Sequence, residues 1–523
     1  MFKRPIIVHP FLFAIFPMLF LLAHNLGKIS LNAAFVPAVI TVCFTMLSWT
    51  VLTFLLKDVQ KAGLLVSVFV LLFFSYGQAY RLIGMTGFNL TVAGVSIGLE
   101  WIMLPLWVLV FFTCAHFFVR ISKEIDNFTR IFNVISTSLV LVSLINLIFF
   151  NLKTVGVKLE QRKIKTARLK LQNTRGDRFM LPDIYYIVLD AYANENILRE
   201  LYGYENVDFL TYLKEKGFYV ANESSSNYCQ TGLSLASSLN LKYLDDVAKR
   251  VGIASYDTEP LKQMIRHNYV FDFLKQYGYI IVAFSSGRSE TKIKNADIYI
   301  TPGYDFDESH HAFMNTTPIP EVLKTMGMND LFDLHRNRIL YTLDYLVDTT
   351  KQEGPMFVFA HIASPHPPFV FRKDGTAVNP KGRFMDFDAD WLIRKGGITR
   401  AEYIEGYIDQ LRFLNKKLKE TIDGILDESK RPVIIVLQSD HGPRSMLVWE
   451  DPYKTNFEEC MSILNAYYFP DRNYNGLYQD VTPVNTFIMI FNRFFGTNEP
   501  LLKDESYFST ASRPYGFVSV TKK

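Results

Sequence analysis

Five apolar stretches crowd into the first 150 residues, at about 9–26, 32–56, 62–80, 100–119 and 131–150. A hydrocarbon core about 30 Å thick takes roughly 17–25 apolar residues per helix, so each stretch predicts a membrane-crossing helix. Inside lipid every backbone polar group must be satisfied within its own segment, which leaves helices as the economical solution for such runs. The first stretch resembles a secretion signal, but four more follow at once and no convincing small-residue cleavage site stands behind it, so it reads as a retained helix. A wholly soluble protein, a disordered chain and a disulfide scaffold are all excluded.

Basic residues in the short loops set the orientation. Lys3, Arg4, Lys57, Lys61, Arg120, Lys123 and Arg130 fall on one side, and only Lys28 and Arg81 on the other. The N-terminus is therefore expected in the cytoplasm. Five spans then carry everything after residue 150 outside, as in a multi-pass protein of the cell (inner) membrane with an extracytoplasmic domain. Residues 151–180 carry a net +7, which a strict positive-inside rule would keep in the cytosol. Segments leading into large domains are translocated largely regardless of charge, so this stretch reads as a basic linker, solvated or laid against anionic headgroups. The expected division is 1–150 membrane helices, 151–180 linker and 181–523 catalytic domain. The last part carries a net −8, which argues against nucleic acid as a partner, since phosphate backbones need concentrated positive charge. The cysteines, Cys43, Cys114, Cys229 and Cys460, form no closely spaced pair, so a thiolate zinc site is not expected.

From Pro182 onward short β-rich runs alternate with amphipathic helices, the pattern of an α/β domain with a mainly parallel sheet. Near-continuous apolar runs at Ile184–Leu189, Tyr279–Phe284, Met356–His361 and Val433–Leu437 predict strands covered on both faces. A long helix is expected from about Thr399 to Asp427, where Ile404, Ile408, Leu411, Leu414, Leu418, Ile422 and Ile425 advance by three or four.

Three of these strands run into residues that can do chemistry. The first ends at Asp190. The third leads into Ser364-Pro365-His366-Pro367-Pro368-Phe369, and the fourth into Ser439-Asp440-His441-Gly442. Ligands of open α/β sheets bind at the carboxyl ends of strands, so two carboxylates and two imidazoles reach one edge. Asp440 and His441 can turn to a common cation as the chain leaves the sheet, with Gly442 allowing a sharp exit. Asp190 supplies a third ligand of a mixed oxygen and nitrogen site that suits one divalent ion, Mn, Mg or Zn. His361, inside an apparent strand, reads as a satisfied core histidine.

Residues 233–239 predict the first turns of a helix with Thr231 at or before its N-terminus, where free N–H groups favour an anion. A threonine there either caps the helix or, with a metal lowering the pKa of its hydroxyl, serves as a nucleophile.

The ordered set Asp190, Thr231, His366-Pro367-Pro368-Phe369 and Ser439-Asp440-His441-Gly442 resembles the sulfatase-like branch of the alkaline phosphatase superfamily. With its N-terminal spans, the chain is most similar to membrane-anchored lipoteichoic acid synthases and phosphoethanolamine transferases. The resemblance implies that Asp190, Thr231, Asp440 and His441 hold the metal and that Thr231 is also the nucleophile. It implies that His366 lies near the transferred or leaving group, where a proton could be donated. Arg444 would bind the substrate anion. Sulfatases proper use Cys-x-Pro-x-Arg or Ser-x-Pro-x-Arg. Cys229 is followed by Gln230-Thr231-Gly232-Leu233, so formylglycine chemistry is not expected. The implied reaction moves a substituted phosphate, phosphoglycerol or phosphoethanolamine in type, from a phospholipid donor to an envelope glycan or lipid. The alternatives are a hydrolase of phosphate or sulfate esters and a catalytically silent membrane scaffold for polysaccharide assembly.

Overall fold

The computed structural model describes residues 5–25, 31–85, 90–92, 95–121, 124–165, 181–303, 305–328, 331–380, 384, 389–394 and 397–521. It divides into two compact units. One comprises Met1–Lys170 together with Glu308–Asp330, and the other Leu171–Asp307 with Leu331–Lys523.

The first unit is a bundle of five apolar helices, α1 (His9–His24), α2 (Leu31–Leu56), α3 (Val59–Met85), α4 (Leu99–Arg120) and α5 (Ile125–Lys165). Four of them are long and apolar enough to cross a bilayer, and the sixteen-residue α1 is shorter. Polar side chains join the helices at one end of the bundle. His9 Nδ1 lies 2.6 Å from Ser67 Oγ, the Asn133 side chain accepts from His9 N at 3.1 Å, and Gln60 Nε2 donates to Asp126 Oδ1 at 2.6 Å. Polar atoms with no water to turn to find partners on neighbouring helices. At the opposite end, two short helices, Glu308–Met314 and Ile319–Thr325, pack on the bundle.

The helix beginning as the fifth span continues to Lys165, so the first part of the supposed linker is helical; residues 166–180 lie outside the described residues. Residues 308–330, expected in the catalytic domain, belong to the helical unit, where Phe313 is buried against span residues such as Met18, Leu22 and Ala34.

The second unit is built on a seven-stranded sheet, β1 (Asp183–Leu189), β2 (Tyr219–Val220), β3 (Ile280–Phe284), β4 (Ile298–Ile300), β5 (Met356–Ile362), β6 (Val433–Ser439) and β7 (Asn465–Tyr468). Their order is β2-β7-β6-β1-β5-β3-β4. All run parallel except β7, which is antiparallel to both its neighbours. Every residue of β1, β5 and β6 is buried, as strands with helices on both faces require. On one face Ile184, Tyr186 and Val188 share a core with Leu233 and Leu235 of α6 (Thr231–Ser238) and Phe487 and Phe491 of α8 (Pro483–Phe495).

The long helix, α7, spans Arg400–Glu428 and starts at a capping box. Thr399 Oγ1 accepts from Glu402 N, and Glu402 Oε2 accepts from Thr399 N. Its stripe Leu411, Leu414, Leu418, Ile422 and Ile425 is fully buried. A C-terminal hairpin follows α8, made of β8 (Tyr507–Thr510) and β9 (Arg513–Ser519).

Candidate metal centre

The three central strands, β5, β1 and β6, lie side by side and parallel, so their carboxyl ends deliver His361, Asp190 and Asp440-His441 to one edge. Ala191, immediately after Asp190, takes a left-handed φ of 65°. That conformation is costly for a residue with a Cβ, and it turns the chain so that Ala191 N donates to Asp440 Oδ1 at 3.3 Å. Helix α7 braces both neighbouring loops. Tyr407 donates its hydroxyl to Ala191 O, and Gln410 Nε2 donates to Pro365 O and His366 O.

His441 Nδ1 lies 2.9 Å from the Gly442 carbonyl. A carbonyl can only accept, so Nδ1 carries a proton and Nε2 is the ring nitrogen turned inward. Around Nε2 stand Asp190 Oδ1 at 3.3 Å, Asp440 Oδ2 at 3.4 Å and Thr231 Oγ1 at 3.4 Å. Both carboxylates are otherwise anchored. Asp440 Oδ1 accepts from two backbone N–H groups, while Asp190 Oδ2 faces the Arg288 guanidinium at 3.4 Å. The inward oxygens, Asp190 Oδ1 and Asp440 Oδ2, are buried and make no hydrogen bond. Buried carboxylate oxygens are rarely left so, and an ion between them is the ordinary reason. The residues therefore fit a divalent cation, which Asp190, Asp440 and His441 could hold.

His361 corrects the reading from sequence. Its Nδ1 does have a partner, Thr291 Oγ1 at 3.0 Å, as a core histidine would. Its Nε2 has none, although it is buried and 3.7 Å from Asp190 Oδ2. One ligand atom each from Asp190, His361 and Asp440 lies within 4.8 Å of the others. The strand extends one residue past His361, so the apolar run hid a side chain that faces the ligand-bearing edge. Burial lowers its pKa, which keeps the ring neutral as a ligand must be.

Thr231 is the first residue of α6. The cap position belongs to Gln230, whose amide donates to Ser509 and Thr510 of the C-terminal hairpin instead of capping the helix. The Thr231 hydroxyl is thereby left facing His441. Burial raises the pKa of the neighbouring Cys229 thiol, which lies 3.5 Å from the Ser509 carbonyl, so it sits as a protonated core group.

His366 is buried beside the cluster, with its backbone N–H on Asp190 O at 3.0 Å. Its Nδ1 lies 3.0 Å from Arg288 Nη2 and 2.5 Å from Pro367 O. The guanidinium only donates and the carbonyl only accepts, so the two compete for the same ring nitrogen. Burial, reinforced by Arg288 and Arg444, holds the ring's pKa down to about 3 against the pull of Asp190. Burial also works against the Asp190 charge, yet His366, His441 and Arg288 outweigh it and hold that carboxyl well below the usual range.

Arg444 is committed to the fold: its guanidinium donates to Cys229 O and lies 5.0 Å over the Trp449 ring. It thus fastens the loop after the metal residues to the segment that carries Thr231. Arg288, absent from the reading of the sequence, is the guanidinium beside the Asp190 carboxylate; its sequence signal was its place four residues after the end of β3. Glu459 is a second omission. Fully buried, it accepts from Ser445 N at 3.0 Å, Met446 N at 2.8 Å, Tyr202 Oη at 2.6 Å and the Ser445 hydroxyl.

A sulfatase family model matches residues 182–502, more than half of the chain. The chain belongs to the sulfatase family. Within the alkaline phosphatase superfamily it joins that catalytic fold to membrane helices. No curated protein matches it in sequence. Among solved structures it is similar to the integral membrane lipooligosaccharide phosphoethanolamine transferase A of Neisseria meningitidis, at 12% identity over 92% of each chain with a TM-score of 0.39. It is also similar to a Bacteroides thetaiotaomicron protein of glycosaminoglycan metabolism, at 16% identity, 60% of this chain, 73% of that one and a TM-score of 0.39. A third is the zinc complex of a periplasmic domain from Escherichia coli, at 11% identity, 66% and 94% coverage and a TM-score of 0.38.

Proposed function

We propose that this sulfatase-family membrane protein is a metal-dependent transferase that moves a substituted phosphate from a phospholipid donor to an envelope glycan or lipid, through a covalent intermediate on Thr231. The observation that carries the reading is the placement of Thr231 Oγ1, 3.4 Å from the His441 ring nitrogen that also faces the unbonded oxygens of Asp190 and Asp440. A divalent cation held by Asp190, Asp440 and His441, with His361 alongside, would lower the pKa of the Thr231 hydroxyl and offset phosphate charge.

The chain's own residues supply the rest. Thr231 Oγ forms a bond to the donor phosphorus as the bond from phosphorus to the glyceride oxygen breaks, and the hydroxyl proton ends on the departing oxygen. An acceptor hydroxyl then attacks the same phosphorus, the Thr231 ester bond breaks, and the acceptor's proton returns to Thr231. His366, with its proton on Nε2, hydrogen-bonds the departing oxygen and keeps that proton. Arg288 neutralises a phosphate oxygen while fixing the His366 ring. Arg444, which the family resemblance assigns to the substrate anion, acts through the loop it ties to Cys229.

The scarcity of basic residues in the first and third loops supports an extracytoplasmic catalytic domain, where such donors and acceptors are found. Phospholipid carrying a radiolabelled headgroup phosphate, supplied to the full-length protein with envelope glycan, tests the transfer. Label on the glycan supports the reading; label released only as a small soluble phosphate ester selects the hydrolase.

A further inference from the structure

The short helix Ile319–Thr325 is amphipathic in an unusual sense. Ile319, Val322 and Met326, spaced three and four apart on one face, are 37%, 38% and 65% exposed, and Met328 just beyond is 53% exposed. The charged residues turn the other way. Glu321 is buried, and Lys324, whose side chain is 62% exposed, reaches back to bond Glu100 Oε1 at 2.8 Å, whose other oxygen accepts from Tyr80 Oη at 3.2 Å. A helix on a water-facing surface buries its apolar face, the face that this one leaves exposed.

The depth of this helix is fixed by its partners. Glu100 stands in the first turn of α4, next to Trp101, which is 60% exposed and therefore placed where an indole favours the boundary of lipid and water. The preceding chain is tied to the same end of the bundle. Thr316 O accepts from Gly77 N at 3.0 Å, and Phe313 packs with Met18, Leu22, Ala34 and Leu147. These residues come from the end of α1, the beginning of α2, the later part of α3 and the end of the apolar stretch of α5. The exposed stripe thus continues the lipid-facing surface of the spans, of which Phe35 and Leu82 are exposed members near that end.

We infer that Ile319–Met328 is an interfacial segment whose apolar face lies in the outer leaflet, among phospholipid headgroups and the first acyl carbons. Its occupant is the bilayer itself. Buried apolar area and a short amphipathic helix suffice for such contact, and the Lys324–Glu100 pair sets the helix's rotation so that Val322 and Met326 point into lipid. The chain leaves the catalytic unit and returns to it through this segment.

The test is a nitroxide spin label at Met326→Cys in full-length protein in phosphatidylethanolamine and phosphatidylglycerol nanodiscs, with Cys43 and Cys114 changed to serine. Phe35→Cys on α2 and Tyr453→Cys, a fully exposed position of the catalytic unit, serve as controls. Oxygen should relax the label at 326 over a water-soluble nickel complex, with a contrast within about twofold of that at 35. A label at 326 that behaves like the one at 453 overturns the inference. So does a label reached by neither agent, which means that protein, a second copy included, covers the face. Lys324→Glu provides the second variant: it should lower the oxygen contrast at 326 while leaving that at 35 unchanged, whereas an equal loss at both sites would show only a disturbed bundle, and no loss at 326 would overturn the role given to the ion pair.

Discussion

A Cβ at position 442 would lie 2.0 Å from the carbonyl oxygen of Glu459 and 2.8 Å from that of Ser462. The backbone of Gly442 is not in the left-handed region, so what demands glycine there is the close approach of another strand of chain, held by Gly442 N donating to Cys460 O at 2.8 Å. The Asp440-His441 turn is pressed onto the Glu459 loop with no room for a methyl group. Gly442→Ala should push that turn outward and destabilise the fold by about 1–3 kcal/mol. It should also lower bound metal well below one equivalent, measured by elemental analysis of the purified protein. Full metal content in a folded variant would mean that the contact does not position the ligands.

Arg288 contacts both the carboxyl of Asp190 and the ring of His366. Arg288→Lys keeps the charge and loses the planar fork, so KM for the phospholipid donor should rise roughly ten- to a hundredfold. Metal content should be unchanged. An unaltered KM would place Arg288 outside the anion subsite.

His361 offers the buried, unbonded Nε2 that the two carboxylates surround. His361→Ala should weaken metal affinity about 10–100-fold by titration calorimetry. A variant with wild-type affinity and reduced stability would return His361 to a packing role.

Asp305 carries a pH dependence remote from the centre. Burial opposes its charge, but the Ser285 hydroxyl, Lys292 at 3.0 Å and Arg338 outweigh burial and hold its pKa below the ordinary value. A lowered pKa in the folded state contributes stability above the unfolded pKa of about 3.9, and that contribution is lost as pH falls through the folded value. Asp305→Asn should therefore cost about 1–3 kcal/mol at pH 7, with the gap to the wild type closing below pH about 4. Denaturation curves at pH 7 and pH 3 measure it; a gap that does not narrow would contradict the assignment.

The parts legible in the sequence share a physical cause. Val433–Leu437 and Ile184–Leu189 are apolar on both faces, so the strands declare themselves, and a carboxylate directly behind such a run can only stand at the sheet's edge. Asp190, Asp440 and His441 are found that way, and the α7 stripe is found from its period. His361 is not, because in a run buried on both faces a ligand and a core residue look alike. Arg288 is not, because nothing local distinguishes it from a solvated arginine; its role comes from a loop meeting Asp190 and His366 across the sheet edge. The Glu308–Asp330 excursion is illegible for a similar reason. Its exposed Ile319, Val322 and Met326 have an amphipathic spacing that says which residues share a face, not whether water or lipid lies beyond it.

The most direct measurement concerns Thr231 itself. Full-length protein incubated with phospholipid and divalent metal, quenched in acid and digested, should yield a peptide containing Thr231 heavier by one substituted phosphate. Thr231→Ala and metal-chelated samples should lack it. A substituted phosphate mapped to another residue, or full turnover by Thr231→Ala, would contradict the covalent mechanism.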